Sequence, residues 1–336
     1  MHQRIKPTEL TRCINSIDKA INKSRMDVID ALSYVLNKQE ILQENNIVQE
    51  GFFDIFKPKP DKDVKDNINK AKDDVFIDKV LDEIEKETTC KVVSFKHSIV
   101  DSVTIEDSYC GGKPTYLPKN FKIDEDLYFL AQINCKQLSI LPNFPHSGIL
   151  QFWINMDEYG KFGKYCFYYP NTSNGMGQED IDKFCNDRDI SNKDEVLPIE
   201  DDKIIKLIPS ESTDHISASA ENFDDVFIKK YNELAESEDI TKIQGDYIPN
   251  DIMNKIWKTP FGKHTSSTQC GGFPYFTQSD PRGSSKSDKY PDILLFQLDS
   301  GDGVMWGDSG IGNFFIKEDD LKSKNFDKVL FNWDCY

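Results

Sequence analysis

Apolar residues at Leu10, Ile14, Ile17 and Ile21 recur at steps of four, three and four, which places them on one face of an α-helix. A second helix is predicted from Ser24, with Asp27 as a capping-box acid and Val28, Leu32, Val35 and Leu36 as its stripe. Residues 1–49 therefore read as a helical extension, its two helices able to pair as a hairpin. The stretch "EGFFDIFKPKPDKD" over 50–63 carries Pro58 and Pro60, which deny a helix its donors, and reads as a linker. Its Phe52, Phe53 and Phe56 either pack back onto the protein or form a short docking peptide. A third helix is expected over 64–86, with Val64, Ile68, Ala71, Val75 and Ile84 on one stripe, leading into a body that starts near residue 90. From "CKVVSF" onward the alternation is that of strands.

That body repeats itself. "CGGKP" (110–114) returns as "CGGFP" (270–274), "YFLAQIN" (128–134) as "LLFQLD" (294–299), and "HSGILQFWI" (146–154) as "DSGIGNFFI" (308–316). Each half then closes on an aromatic strand, "YCFYYP" (165–170) and "VLFNWDCY" (329–336). Blocks in one order indicate internal duplication, with repeats over about 92–170 and 204–336. The fold class expected is α+β, mainly β: pseudo-duplicated antiparallel sheets in one body with an N-terminal helical extension.

The repeated residues have mechanical explanations. Gly111-Gly112 before Pro114, and Gly271-Gly272 before Pro274, suit a turn at φ values that glycine takes cheaply, with proline fixing the exit. Valine at Gly111 or Gly271 is expected to destabilise the chain if either sits at positive φ. Gln132 and Gln297 fall within half-buried strands, where an amide can tie two backbone groups together. "WGDSGIGNFF" (306–315) spells the Gly-Asp-Ser-Gly of a serine protease, yet Ser309 and Gly310 match Ser147 and Gly148 of the other repeat and precede a strand as turn residues do. Asp308 is expected to accept hydrogen bonds within that turn. "LDSGDG" (298–303) reads as a hairpin loop, since Gly301 and Gly310 replace the acids that a calcium loop requires. Cys110 and Cys270, each before a glycine pair, read as small buried hydrophobes.

Composition narrows the chemistry. The chain has 336 residues, 38% hydrophobic and 12% aromatic, enough for a large core, and a net charge of −17 that disfavours nucleic acid. Residues 179–240 alone hold 19 acidic and 7 basic side chains. They read either as a solvated, variable segment or as a docking face for a basic protein. The eight cysteines show no CxxC pair and no metal-ligand spacing, so reduced thiols are expected and no metal or cofactor is implied. No apolar signal region or membrane-length run occurs, which points to the cytoplasm and away from a membrane. The sequence is silent on oligomeric state.

The blocks "GGKPTYLP", "LAQIN", "SGILQFWI", "GGFPYFTQSDPR", "MWGDSG", "NFFIKEDDL" and "NWDCY" closely resemble the YwqG-like family, a bacterial domain family of unknown function, over about residues 90–336. The resemblance implies a mainly β body with pseudo-repeated sheets and implies no activity; residues 1–85 are extra to the family's usual chain. Two functions fit. One is a binding protein for a basic partner or small polar ligand, with an immunity-like role as a specific form. The other is an enzyme with a cleft between the repeats lined by Lys113, His264, Gln278, Asp280, Arg282, Trp306 and Asp308. "TQSDPR" has no counterpart in the first repeat, which marks the second as the half to inspect.

Overall fold

The computed structural model describes residues 74–187, 197–199, 203–237, 240–262, 266–282 and 290–336. The chain divides into the units Met1–Lys65 and Asp66–Tyr336, and the description is of the second. The helices and linker expected before residue 74, together with His264, lie outside the described residues.

Helix α1 (Asp74–Thr88) is the described part of the helix expected over 64–86. Its buried face is Phe76, Ile77, Val80, Leu81 and Ile84, whereas Val75, expected on the stripe, is 75% exposed. The correction follows from the helical angle: 77, 80 and 84 share one face at steps of three and four, and 75 falls outside it. Then come strands β1 (Cys90–Val100), β2 (Tyr109–Gly111), β3 (Tyr128–Asn134), β4 (Ile149–Ile154), β5 (Lys161–Gly163) and β6 (Cys166–Tyr169). Helix α2 (Gln178–Asn186), strand β7 (Ile204–Asp214) and helices α3 (Phe223–Ser237) and α4 (Asn250–Ile256) follow. The chain ends with β8 (Gln269–Cys270), β9 (Ile293–Asp299), β10 (Ile311–Ile316), helix α5 (Glu318–Lys322) and β11 (Val329–Asp334).

All the strands join one antiparallel sheet, which curls into a half-barrel, in the order β5-β11-β10-β9-β8-β1-β7-β2-β3-β4-β6. One continuous sheet thus takes the place of the separate sheets expected. The long pair β1–β7, in register from Cys90↔Asp214 to Val100↔Ile204, stands at its centre. Strands β8 to β11 extend from β1, and β2, β3, β4 and β6 extend from β7. The acidic stretch 179–240 is accordingly no single surface loop, since it supplies α2, the central strand β7 and α3.

The sheet's main core contains Val93, Phe95, Leu130, Phe152, Phe296, Phe314 and Phe331. A second core forms where α1, α3 and α4 bury Phe76, Val80, Phe227, Tyr231 and Ile252 together. Among the described residues no helix is long and apolar enough to cross a membrane. Against the apolar interior runs a row of amides. Asn332, Asn313, Gln297 and Gln269 stand opposite one another on four adjacent strands, and the row continues into Ser94 and Ser210. All four amides are buried, and Gln132 and Gln151 pair likewise on β3 and β4.

Candidate functional site

The buried amides have a task. After each glycine pair the chain runs without strand partners, so its backbone groups need side-chain hydrogen bonds. In the first half Gln132 Oε1 accepts from the Thr115 hydroxyl at 3.0 Å, and Gln151 Nε2 donates to the Tyr116 carbonyl at 2.8 Å. In the second, Gln297 Oε1 accepts from the Tyr275 amide at 2.8 Å and Asn313 Nδ2 donates to the Tyr275 carbonyl at 3.0 Å. The loops share a conformation: φ is +79° and +62° at Gly111 and Gly112, and +75° and +76° at Gly271 and Gly272. A Cβ on Gly111 would also collide with the Lys203 carbonyl. Gly111→Val is therefore expected to destabilise by about 2 kcal/mol or more in urea unfolding. Gly245→Val, at φ +97° with open space around it, isolates the strain contribution and should cost less.

The Asp280-Pro281-Arg282 turn is not a solvated one. Its two charged side chains are 2% and 7% exposed and meet at 2.6 Å between Asp280 Oδ2 and Arg282 Nη2. Arg282 Nε also donates to Asp280 Oδ1 at 2.9 Å, and Nη1 donates to the Pro291 carbonyl at 3.2 Å. The guanidinium lies between two rings, 4.4 Å from the Tyr290 centroid and 4.6 Å from that of Phe315. Burial, and next the Asp280 charge, push the nearby Glu221 carboxyl up. Beside this clamp Asp334 Oδ1 accepts from the Thr277 amide at 3.0 Å and the Thr277 hydroxyl at 2.8 Å. Burial pushes the Asp334 carboxyl up, and the Thr277 donors pull it back. Gln278 Nε2 donates to the Cys335 carbonyl at 2.7 Å.

Lys113, Trp306 and Asp308 do not join them. Trp306 is fully buried in the main core, 6.1 Å from Phe331 and 6.2 Å from Trp333 between ring centroids, and a Cβ on Gly312 would strike its ring. Consecutive residues of β10 divide the two groups: Phe314 packs in the core with Trp306, whereas Phe315, under Arg282, belongs to a small separate cluster with Leu294 and Leu330. Asp308 is exposed, and its carbonyl, rather than its carboxylate, accepts from the Tyr336 amide at 3.2 Å. Ser309 is an exposed turn residue at φ +53°, followed by Gly310, whose amide donates to the Trp306 carbonyl at 2.8 Å. Lys113, also exposed, pairs with Asp182 of α2 at 3.2 Å. Of the expected lining, Asp280 and Arg282 come together, Gln278 bonds to Asp334 and Cys335, and Lys113, Trp306 and Asp308 stand elsewhere.

One polar constellation escapes sequence reasoning. His97 on β1 holds the Gly301 carbonyl through Nδ1 at 3.2 Å and meets the Thr268 hydroxyl through Nε2 at 2.7 Å. A carbonyl only accepts, so Nδ1 donates to Gly301. Thr268 Oγ1 in turn accepts from the Asp299 amide at 3.0 Å, and Asp299 Oδ2 accepts from the Ser266 hydroxyl at 2.8 Å. Burial pushes the Asp299 carboxyl up. The pairing of a hydroxyl with an oriented imidazole resembles an activated nucleophile. Thr268 is only 3% exposed, however, and its oxygen is already bonded, so the chain of contacts pins the 300–304 loop to the sheet. No spacing in the sequence joins residues 97, 268 and 299.

Burial pushes the Cys110 and Cys270 thiols well up, away from nucleophilic thiolate. Among the described residues no group of three or more His, Cys, Asp or Glu side chains is placed to hold a metal ion. The family model described as "Domain of unknown function (DUF1963)" matches residues 108–335. No curated protein matches the chain.

Proposed function

We propose, for a chain that belongs to this family of unknown function, that it is a binding protein whose acidic helical face receives a basic protein partner. One observation carries the reading. Helices α1 and α3 pack together, with Phe76 edge-on to Tyr231 at 5.0 Å, and carry ten acidic residues against four lysines. Asp78, Asp82, Glu85, Glu87, Asp225, Glu233 and Glu236 are exposed. Lys230 is occupied between Glu87 at 2.6 Å and Glu233 at 3.0 Å, which leaves the outward field strongly negative. Such a face speeds encounter with an opposite charge and is weakened by salt. The enzyme reading has less support, because the Asp280–Arg282 pair is turned on itself and Trp306 is packed in the main core.

The motifs from "GGKPTYLP" to "NWDCY" assign the chain to the YwqG-like group. Free thiols at seven described cysteines fit a reducing cytoplasm. The body arose by duplication: blocks alike in sequence occupy β2, β3, β4 and β6 on one side of the β1–β7 pair and β8, β9, β10 and β11 on the other.

The test is capture with the tagged full-length chain at low and high salt, alongside a variant carrying Asp78→Lys, Asp82→Lys and Glu85→Lys. A basic protein retained at low salt, released at high salt and lost with the variant is the expected result. A wild-type chain that retains no such protein at either salt, or a variant that retains it equally well, rejects the acidic face.

A further inference from the structure

We propose that the first glycine loop, Gly111-Gly112-Lys113, is a receptor for a carboxylate, either of a small free acid or of a peptide end. The inference is independent of the acidic face, and the molecule carries a precedent for it. In the second loop a carboxylate is already seated: Asp214 Oδ2 accepts from the Phe273 amide at 2.8 Å and from Gln269 Nε2 at 3.3 Å. That oxygen lies 2.6 Å from where a Cβ on Gly272 would stand, an approach that glycine alone permits. Asp214 is steadied there by the His215 amide, which donates to Oδ1 at 2.8 Å.

The first loop repeats the second in spelling, "CGGKP" for "CGGFP", and in backbone, with both glycines again at positive φ. Lys113 stands where Phe273 stands. Even the tie on the following carbonyl is reproduced by a different residue. Tyr109, opposite Gln132 on β3, donates its hydroxyl to the Lys113 carbonyl at 2.9 Å. Gln269, opposite Gln297 on β9, donates to the Phe273 carbonyl at 3.2 Å.

The two loops part at the amide. Among the described residues the Lys113 N–H makes no hydrogen bond within the protein, and Gly112 and Lys113 are exposed to solvent. The three nearest described atoms to the Cβ position of Gly112 all belong to Ile204, so among the described residues no carboxylate takes the place that Asp214 takes in the other loop. An unbonded backbone N–H in a glycine turn is a donor for an anion, and backbone capture of a carboxylate is a recurrent recognition mode. The Lys113 ammonium adds charge on the same residue. Its pair with Asp182 is exposed on both sides and opens at little cost.

The experiment is a ¹H–¹⁵N titration of the full chain with acetate at constant ionic strength, using chloride as the control. The Lys113 amide is expected to move downfield and saturate with a midpoint on the order of 10 mM, as one charge-assisted contact allows. Phe273 should stay still, because Asp214 fills its loop. Asp214→Ala should make Phe273 respond too; if that variant fails to fold, the wild-type contrast between Lys113 and Phe273 decides alone. Lys113→Ala keeps the amide and loses the ammonium, and should raise the midpoint roughly two- to fivefold. A short peptide with a free C-terminal carboxylate, run against its C-terminal amide, separates the sources. Tighter binding of the free acid than of acetate assigns a peptide end, and equal binding assigns a small acid. If Lys113 moves no more than the exposed Asp246 amide, or if Phe273 moves equally in the wild type, the receptor does not exist.

Discussion

Arg282→Ala is expected to cost about 3–5 kcal/mol in urea unfolding, the largest loss for any single charged residue described here. The reason is what the substitution leaves behind. The Asp280 side chain is 2% exposed, and its carboxylate is paired to the guanidinium through Nε and Nη2; with the arginine gone its partners among the described residues are the Arg282 backbone amide, at 3.0 Å, and the Tyr290 hydroxyl, at 3.3 Å. The Tyr290 and Phe315 rings lose the cation between them as well. Removing both charges should hurt less than removing one, so the double variant Asp280→Ala/Arg282→Ala is expected to recover part of the loss. A single-variant loss below about 1 kcal/mol would return the pair to the class of solvent-screened surface contacts.

Trp306→Ala is expected to cost about 3–5 kcal/mol, measured the same way, because it empties a fully buried indole site between Phe331, Trp333 and Gly312. Its neighbours cannot close the space readily: Gly312 has no side chain to extend, and the backbone of β10 is held by both β9 and β11. The prediction separates two roles for this residue. A tryptophan lining a cleft could be removed with little change in stability and a loss of binding alone. Among the described residues the buried indole N–H has no hydrogen-bond partner, so part of the cost is offset when that donor disappears, and the lower half of the range is the better target.

Some features are legible without coordinates because their cause is local. Two consecutive glycines before a proline point to positive φ whatever surrounds them, and Gly111, Gly112, Gly271 and Gly272 all lie there. Ser309 takes φ +53° in a turn for the same local reason that its Ser-Gly pair precedes a strand. Glutamine among apolar strand residues signals a buried amide with backbone work to do, as at Gln132 and Gln297, both fully buried. Alternation and internal similarity likewise mark a mainly β body without specifying how many sheets it makes.

The illegible features depend on residues distant in the chain. Asp280 and Arg282 look like a hydrophilic turn in sequence; the approach of Tyr290, Pro291 and Phe315 covers the arginine. Trp306, next to an apparent protease motif, looks available, yet the curl of the sheet closes the core over it. His97, Thr268 and Asp299 meet because β1, placed first in the body, pairs with β8 far along the chain.

What the amino-acid sequence determined by itself was each thing set by a residue's own backbone preference or by near neighbours: the glycine turns, the strand and helix periods, the repeated blocks and the sign of the charge. The tertiary structure alone decided which polar groups were buried, which faced one another, and that Asp214 seats its carboxylate in the second glycine loop. Burial and hydrogen-bond partnership are properties of surfaces brought together by long-range strand pairing, and no spacing along the chain encodes them directly.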